Sequence, residues 1–485
     1  MPQYQSEELA LRAIEKMAAR KLYQNAYETI EENLSQFPES KDLRILESKI
    51  ASEMNDFLRS VQILEELDKA KPNQVDITVL LSQAYLRNGD SQSALDFVAQ
   101  AESLGADQLL TSLIRAECYE RTSQSDLLSE AVAQLPPESR TINIRARALI
   151  AQKDYEGAID LLSSGYETGG IGLTDQINNL FMLAKAYDRT GEYDKAWDAA
   201  TKAHEIDNTP FDLEAHYESF ASMKAFLNDE MLDVLASGPK TEAEPFFIVG
   251  SPRSGTSLLE QILSMHPDIE NAGESCVGLA MQLRIPRLTD SFHSWPTNMI
   301  DLRKEDIDTL SNQYFESQKN LVADHKVVSN KSLNLSIQLG FLSKVLPSSR
   351  AVMLHRHPLD NAVSCYTTNL ISSGHGYTNN LSHLASYWVS RKKIADYWLN
   401  ALDIPMMELH YENLVADQRG ETERLIKFLD LPWHEDCMEF HKSKRVARTI
   451  SYDQVNQKMY NTSSGRWKNY EKHLGPVIDI VSDYL

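Results

Sequence analysis

Glu244-Pro-Phe-Phe-Ile-Val-Gly-Ser-Pro-Arg-Ser-Gly-Thr-Ser-Leu-Leu-Glu260 decides how the chain is read. Phe246 to Val249 form a short apolar run that predicts a buried strand. Gly250-Ser-Pro-Arg-Ser-Gly-Thr-Ser257 follows, and then Leu258, Leu259, Ile262 and Leu263 recur at helical spacing. Strand, glycine-bearing loop and helix together make a phosphate cradle, because loop N–H groups and a helix N-terminus both favour an anion. The spacing Gly250-x4-Gly255 matches the start of a Walker A loop. Thr256 then stands where the triphosphate-binding lysine would be, and Arg253 lies inside the loop, which suits a shorter anionic group.

Outward from this stretch, an alternation of strand and helix predicts an α/β domain. Lys326-Val-Val-Ser329, Ala351-Val-Met-Leu-His355 and Met406-Met-Glu-Leu-His-Tyr411 read as three further strands, separated by helical runs. Such alternation implies a mainly parallel sheet with ligands beyond the carboxyl ends of its strands. Arg253, Lys331, Arg356 and Tyr411 all follow such ends.

The first half has a different rhythm. Ala84-Tyr85-x3-Gly89-Asp90-x3-Ala94 returns as Ala186-Tyr187-x3-Gly191-Glu192-x3-Ala196, and Ala26, Ser60 and Ala94 are spaced 34 apart. This period of helix–turn–helix resembles tetratricopeptide repeats, with about six fitting into residues 6–228. The expected architecture is therefore an N-terminal tetratricopeptide-type α-solenoid over residues 1–240, then a P-loop-like α/β domain with a mainly parallel central sheet over 241–485. Gly238-Pro239 and the acidic residues around them mark the seam. A solenoid offers a concave surface, so a protein partner is expected on the repeats.

The net charge is −22 and lies mostly in the first half: residues 1–240 carry 23 basic against 41 acidic side chains, residues 241–485 carry 25 against 29. That balance argues against nucleic-acid binding, which needs basic surface. Cys118, Cys276, Cys365 and Cys437 form no metal-ligand or disulfide pattern. No apolar run reaches the roughly 18 residues of a membrane span, and Met1-Pro-Gln-Tyr-Gln-Ser lacks the basic start of a secretion signal. The expected location is cytoplasmic.

Pro252-Arg-Ser-Gly-Thr-Ser257 together with Arg356-x7-Ser364 resembles the sulfotransferase family, and within it the tyrosylprotein sulfotransferases are a similar branch. The resemblance covers roughly residues 245–475, and repeats joined to such a domain look like a bacterial sulfotransferase architecture. It implies 3′-phosphoadenosine 5′-phosphosulfate as donor, no metal, and an acceptor that is a peptide, a glycan or a small hydroxyl compound, with protein tyrosine as one candidate. By the same resemblance Arg253, Ser254, Gly255, Thr256 and Ser257 hold the 5′-phosphosulfate, and Arg356 and Ser364 contact the 3′-phosphate. Tyr411 matches an adenine contact, and Arg466 stands in the donor-closing segment where that branch has lysine. Glu274, 21 residues after Arg253, matches the catalytic base. Lys331 and Arg253 match the cations over the transferred group, and Ser451 a supporting hydroxyl. His355 is the second candidate for the base, although its place on a strand predicts burial at the sheet edge. The alternative reading is a repeat scaffold whose sulfotransferase-like domain binds nucleotide without transferring.

Overall fold

The computed structural model describes residues 4–20, 22–136, 141–167, 172–207, 209–319, 327–370, 375–443, 458–459 and 463–485. It divides into two compact units whose main segments are Met1–Pro136 and Pro137–Ser443.

Antiparallel helix pairs open the chain, beginning with Glu7–Ala19 and Tyr23–Leu34 and ending with Leu173–Arg189 and Tyr193–Ile206. Among the described residues there are six such pairs. The 34-residue register is physical. Ala26, Ser60 and Ala94 are all buried where the second helix of a pair meets its neighbour. Asn55, Gly89 and Ser123, also 34 apart, all take the left-handed backbone, with φ of 60°, 82° and 57°. Each ends a first helix, and the next residue opens the second. Asp56 and Asp90 do so as N-caps, accepting from the N–H of Arg59 and Ser93. The shortened step near Ala148 keeps the same device, with Lys153 at φ 65°.

The second unit holds a five-stranded sheet in the order β2-β3-β1-β4-β5, made of β1 (Glu244–Gly250), β2 (Ile269–Asn271), β3 (Val327–Asn330), β4 (Arg350–His355) and β5 (Met406–His410). All pairings among these strands are parallel. Four of the five were expected from sequence. β2 was not, and β3 runs one residue further than the predicted Ser329. The alternation in β1 explains the continuous apolar run: Phe246 and Ile248 face one layer with Leu259, Ile262, Val352 and Leu409. Phe247 and Val249 face the other with Leu339, Leu342, Met353 and Trp398. A parallel sheet covered on both faces needs apolar residues at successive positions, and each large side chain buried this way contributes roughly 1.5–3 kcal/mol.

Chain order and strand order diverge at β1. Its neighbours are β3 on one side and β4 on the other, so connections leave in opposite directions and open a crevice at their carboxyl ends. The loops after β1, β3 and β4 gather there, with Arg356 bonded to the Arg253 carbonyl and Lys331 3.9 Å from Glu260.

The helix pair Leu173–Arg189 and Tyr193–Ile206 belongs to this second unit. Phe181, Trp197 and Ala200 share one apolar cluster with Leu359, Tyr366 and Trp388. The last helices therefore follow the repeat pattern while packing onto elements beside the crevice.

Several histidines in this unit are held neutral. His216 packs on Phe220 and Tyr387 at centroid distances of 4.7 and 5.0 Å, and burial with the nearby Arg391 cation pushes its pKa down to about 4. Burial and Arg391 do the same to His375, also to about 4. A histidine depressed from its ordinary 6.5 favours the native state above that pH, and the contribution is lost as pH falls from about 6.5 toward 4. The melting temperature should accordingly drop between pH 7.5 and pH 5, and His216→Phe should flatten part of that drop. A melting curve unchanged over the interval in circular dichroism would contradict the assignment.

Candidate active site

The loop after β1 is built for close backbone approach. A Cβ on Gly250 would lie 2.5 Å from Ser254 Oγ and 2.8 Å from Thr256 Cγ2. Gly255 has φ 102°, and a Cβ there would meet the Tyr411 ring at 2.5 Å. Arg253 itself is left-handed at φ 62°. These turns aim the chain into the helix Thr256–Leu263, with Gly255 as its N-cap and no side chain on the first N–H groups. Thr256 is buried and Ser257 half-buried at that end.

Helix Pro358–Tyr366, which follows β4, fixes the loop from one side. Asn361 Nδ2 donates to the Pro252 carbonyl at 2.7 Å, and Arg356 Nη1 donates to the Arg253 carbonyl at 2.8 Å. Arg253 Nε donates to Ser364 Oγ at 3.0 Å. The two sequence motifs, separated by about a hundred residues, are thus one hydrogen-bonded cluster. Arg356 also lies over the Tyr411 ring, 4.6 Å from its centroid. Tyr411, expected beside a base, opens the helix after β5 and is buried between Gly255 and Arg356.

The other half of the crevice comes from β3. Ala272 N–H donates to the Ser329 carbonyl and Lys331 N–H to the Gly273 carbonyl, both at 2.8 Å, so the segment after β2 runs along the end of β3. That pairing carries Glu274 to Lys331, where Lys331 Nζ donates to Glu274 Oε1 at 2.5 Å. Lys331 is almost fully buried, with 3% of its side chain exposed, whereas 37% of Glu274 faces solvent. Glu260, buried on the loop helix, lies 3.9 Å from the same ammonium. Sequence spacing did not single out Glu260. Its signal is a carboxylate inside the apolar run Leu258–Leu263, on the face turned inward.

Two donors in the cluster are buried without a hydrogen-bond partner among the described residues: Ser254 Oγ and Arg356 Nε. Both line a narrow cavity of about 20 Å³ whose walls include Gly250, His355, Arg391 and Lys392. Buried donors facing a gap flanked by cations suit an acceptor oxygen of water or of an anion. The donor set of the crevice fits an anionic ligand on this ground.

His355 lines that cavity but is engaged by its own neighbours. Its Nε2 lies 3.1 Å from Glu408 Oε1 and its ring 5.4 Å from His410. Burial, with Lys392 next, pushes its pKa down to about 4. His355, Asp396 and Glu408 bring ligand atoms within 4.8 Å of one another. Lys392 bonds Asp396 and stands 4.0 Å from Glu408, so the protein supplies its own cation at that point. Ser451 lies outside the described residues. Arg466 is turned to Asp188 and Tyr470.

The model of the sulfotransferase family matches residues 245–435. That segment is thus similar to the sulfotransferase family. An uncharacterized protein of Aquifex aeolicus is 24% identical over 460 residues, covering 93% of this chain and 56% of the relative. Protein-tyrosine sulfotransferase 1 of Danio rerio is 22% identical over 218 residues, 43% of this chain and 59% of the relative. The chain thus spans little more than half the length of these two relatives. Among solved structures, the sulfotransferase domain of the Synechococcus olefin synthase is similar at 16% identity and a TM-score of 0.34, over 48% of this chain and 90% of that one. The sulfotransferase segment contains Arg253, Glu274, Lys331, Arg356, Ser364 and Tyr411. Ser463 and Arg466, and the helix pair 173–206, lie outside it. No helix among the described residues is long and apolar enough to cross a membrane.

Proposed function

We propose that the chain moves a sulfuryl group from 3′-phosphoadenosine 5′-phosphosulfate to an acceptor hydroxyl, with residues 241–485 as the transferring domain and the repeats of 1–240 presenting a partner. The observation that carries this reading is the Lys331–Glu274 contact of 2.5 Å at the end of β3, next to the phosphate cradle of β1. A cradle alone serves any nucleotide binder. A buried ammonium joined to a half-exposed carboxylate adds what transfer needs: a group to take a proton and a cation for the charge that develops.

In this reading Glu274 accepts the acceptor's hydroxyl proton as its oxygen bonds to sulfur. The bond between sulfur and the bridging oxygen breaks, and 3′-phosphoadenosine 5′-phosphate leaves with that oxygen's charge facing Lys331 and Arg253. Loop N–H groups and the hydroxyls of Thr256 and Ser257 hold the 5′-phosphate. Ser364 accepts from Arg253 and keeps its own proton to donate. A general base is worth on the order of 10²–10⁴-fold, so the pair accounts for a large part of the chemistry. Kinase-type metal is replaced by basic side chains.

The relatives named protein-tyrosine sulfotransferases make a tyrosine peptide the first acceptor to try. The full chain, incubated with donor carrying sulfur-35 and with tyrosine peptides, phenols and oligosaccharides, is expected to label one class and release the 3′,5′-bisphosphate in equal amount. Tight donor binding with no labelled acceptor and no release would favour the scaffold reading.

A further inference from the structure

Helix Leu173–Arg189 lies outside the sulfotransferase segment, yet its last turn reaches the elements that hold Arg356. Asp188 Oδ1 accepts three hydrogen bonds: from Arg466 Nε at 3.1 Å, from Arg466 Nη2 at 2.7 Å and from the Tyr470 hydroxyl at 2.6 Å. Asp188 and Arg466 are 16% and 25% exposed, so both charges are largely withdrawn from water. A buried cation that loses its partner is costly to keep in place.

Arg466 belongs to a turn that is fixed at further points. Gly465, at φ 75°, donates its N–H to Asp360 Oδ2 at 2.6 Å, and Trp467 donates to Asp360 Oδ1 at 2.8 Å. The Trp467 ring stacks on His357, 5.7 Å between centroids and 5° between planes. The Ser463 carbonyl accepts from Arg356 Nη2 at 2.7 Å. Arg356 is therefore oriented by two carbonyls, one from the β1 loop and one from this turn. A guanidinium has a rigid fork of donors, so moving one of those carbonyls turns the remaining N–H groups.

We infer that Asp188, on a repeat-type helix, is a positioning residue for the 3′-phosphate contact: it locks Arg466, which sets the turn at 463–467, which in turn orients Arg356. This rests on the donor reading proposed above. The consequence is a physical link from the helical repeats to donor recognition. Binding free energy is reciprocal, so anything that shifts the helix 173–189 changes the affinity for the 3′-phosphate, and the reverse.

Asp188→Asn keeps the side chain's size and removes its charge. Calorimetry on the full chain should compare 3′-phosphoadenosine 5′-phosphate with adenosine 5′-phosphate, which differ only in the 3′ group. The wild type's preference for the bisphosphate should fall by about 3- to 30-fold in the variant, while the monophosphate affinity stays within about twofold, the span of coupling through a positioning contact. Equal losses for both ligands, no loss, or a gain from an Arg466 set free would each overturn the inference. A wild type without any preference would instead sink the donor reading itself. Hydrogen exchange on the wild type avoids dependence on the variant's folding. The bisphosphate, and not the monophosphate, should slow exchange at 185–192 as well as at 463–470. Protection confined to the loops after β1 and β4 would count against the link.

Discussion

Replacing Glu274 by glutamine is expected to lower sulfuryl transfer by on the order of 10²–10⁴-fold, the usual worth of a general base, while donor binding is kept. The argument starts from position. Glu274 is brought to the end of β3 by backbone bonds of residues 272 and 331 rather than by its own side chain, so the variant keeps the segment in register. Glutamine's amide oxygen can still accept from Lys331, and what is lost is the capacity to take a proton. The buried ammonium retains Glu260 at 3.9 Å, which limits the cost in stability. Alanine is the harsher test, since among the described residues it leaves Lys331 only that more distant carboxylate. Single-turnover assays with labelled donor, beside calorimetry with the bisphosphate product, separate the two effects. Turnover equal to wild type would remove Glu274 from the mechanism and return attention to the histidines. Among these, His355 is engaged by Glu408 and is held neutral by burial.

The crevice was legible because its main parts are local. Gly250 and Gly255 are demanded by contacts within a few residues or with one aromatic ring, and a strand next to a glycine loop leaves a mark in any sequence. The repeats were legible for a related reason: a left-handed turn followed by a capping carboxylate recurs at Asn55-Asp56 and Gly89-Asp90. What stayed hidden is non-local. β2 has three residues, Ile269 to Asn271, too few for a periodicity, and exists by pairing with Val327 to Ser329. That pairing is nevertheless what delivers Glu274. Phe181 and Trp197 look like ordinary repeat core in sequence, and only the fold shows them against Leu359 and Tyr366. The Asp188–Arg466 contact joins positions 278 apart in the chain, and an arginine in place of an expected lysine gives no hint of its partner. Tyr411, expected as an adenine contact, has its ring under a guanidinium and against Gly255, neighbours that no spacing in the sequence points to.

Arg356→Ala is expected to weaken 3′-phosphoadenosine 5′-phosphate by about 10- to 150-fold for each charge-assisted hydrogen bond lost, at about 1.5–3 kcal/mol per bond. Adenosine 5′-phosphate should lose much less. Two of the guanidinium's donors are already spent on the carbonyls of Arg253 and Ser463, so the side chain is held in place before any ligand arrives. Pre-organisation of this kind spares the ordering cost at binding. Arg356→Lys separates charge from shape. An ammonium keeps the positive charge but cannot bond two carbonyls in fixed directions and still present a fork. If orientation matters most, lysine should recover only a small part of the loss. If the contribution is mainly Coulombic, lysine should restore most of it, and the preference for the bisphosphate should then fall steeply with added salt. Losses of equal size for the two nucleotides would place Arg356 in the architecture of the β1 loop instead of at the 3′-phosphate. The Asp188 link would fall with it, because that link acts on donor recognition solely by way of this guanidinium.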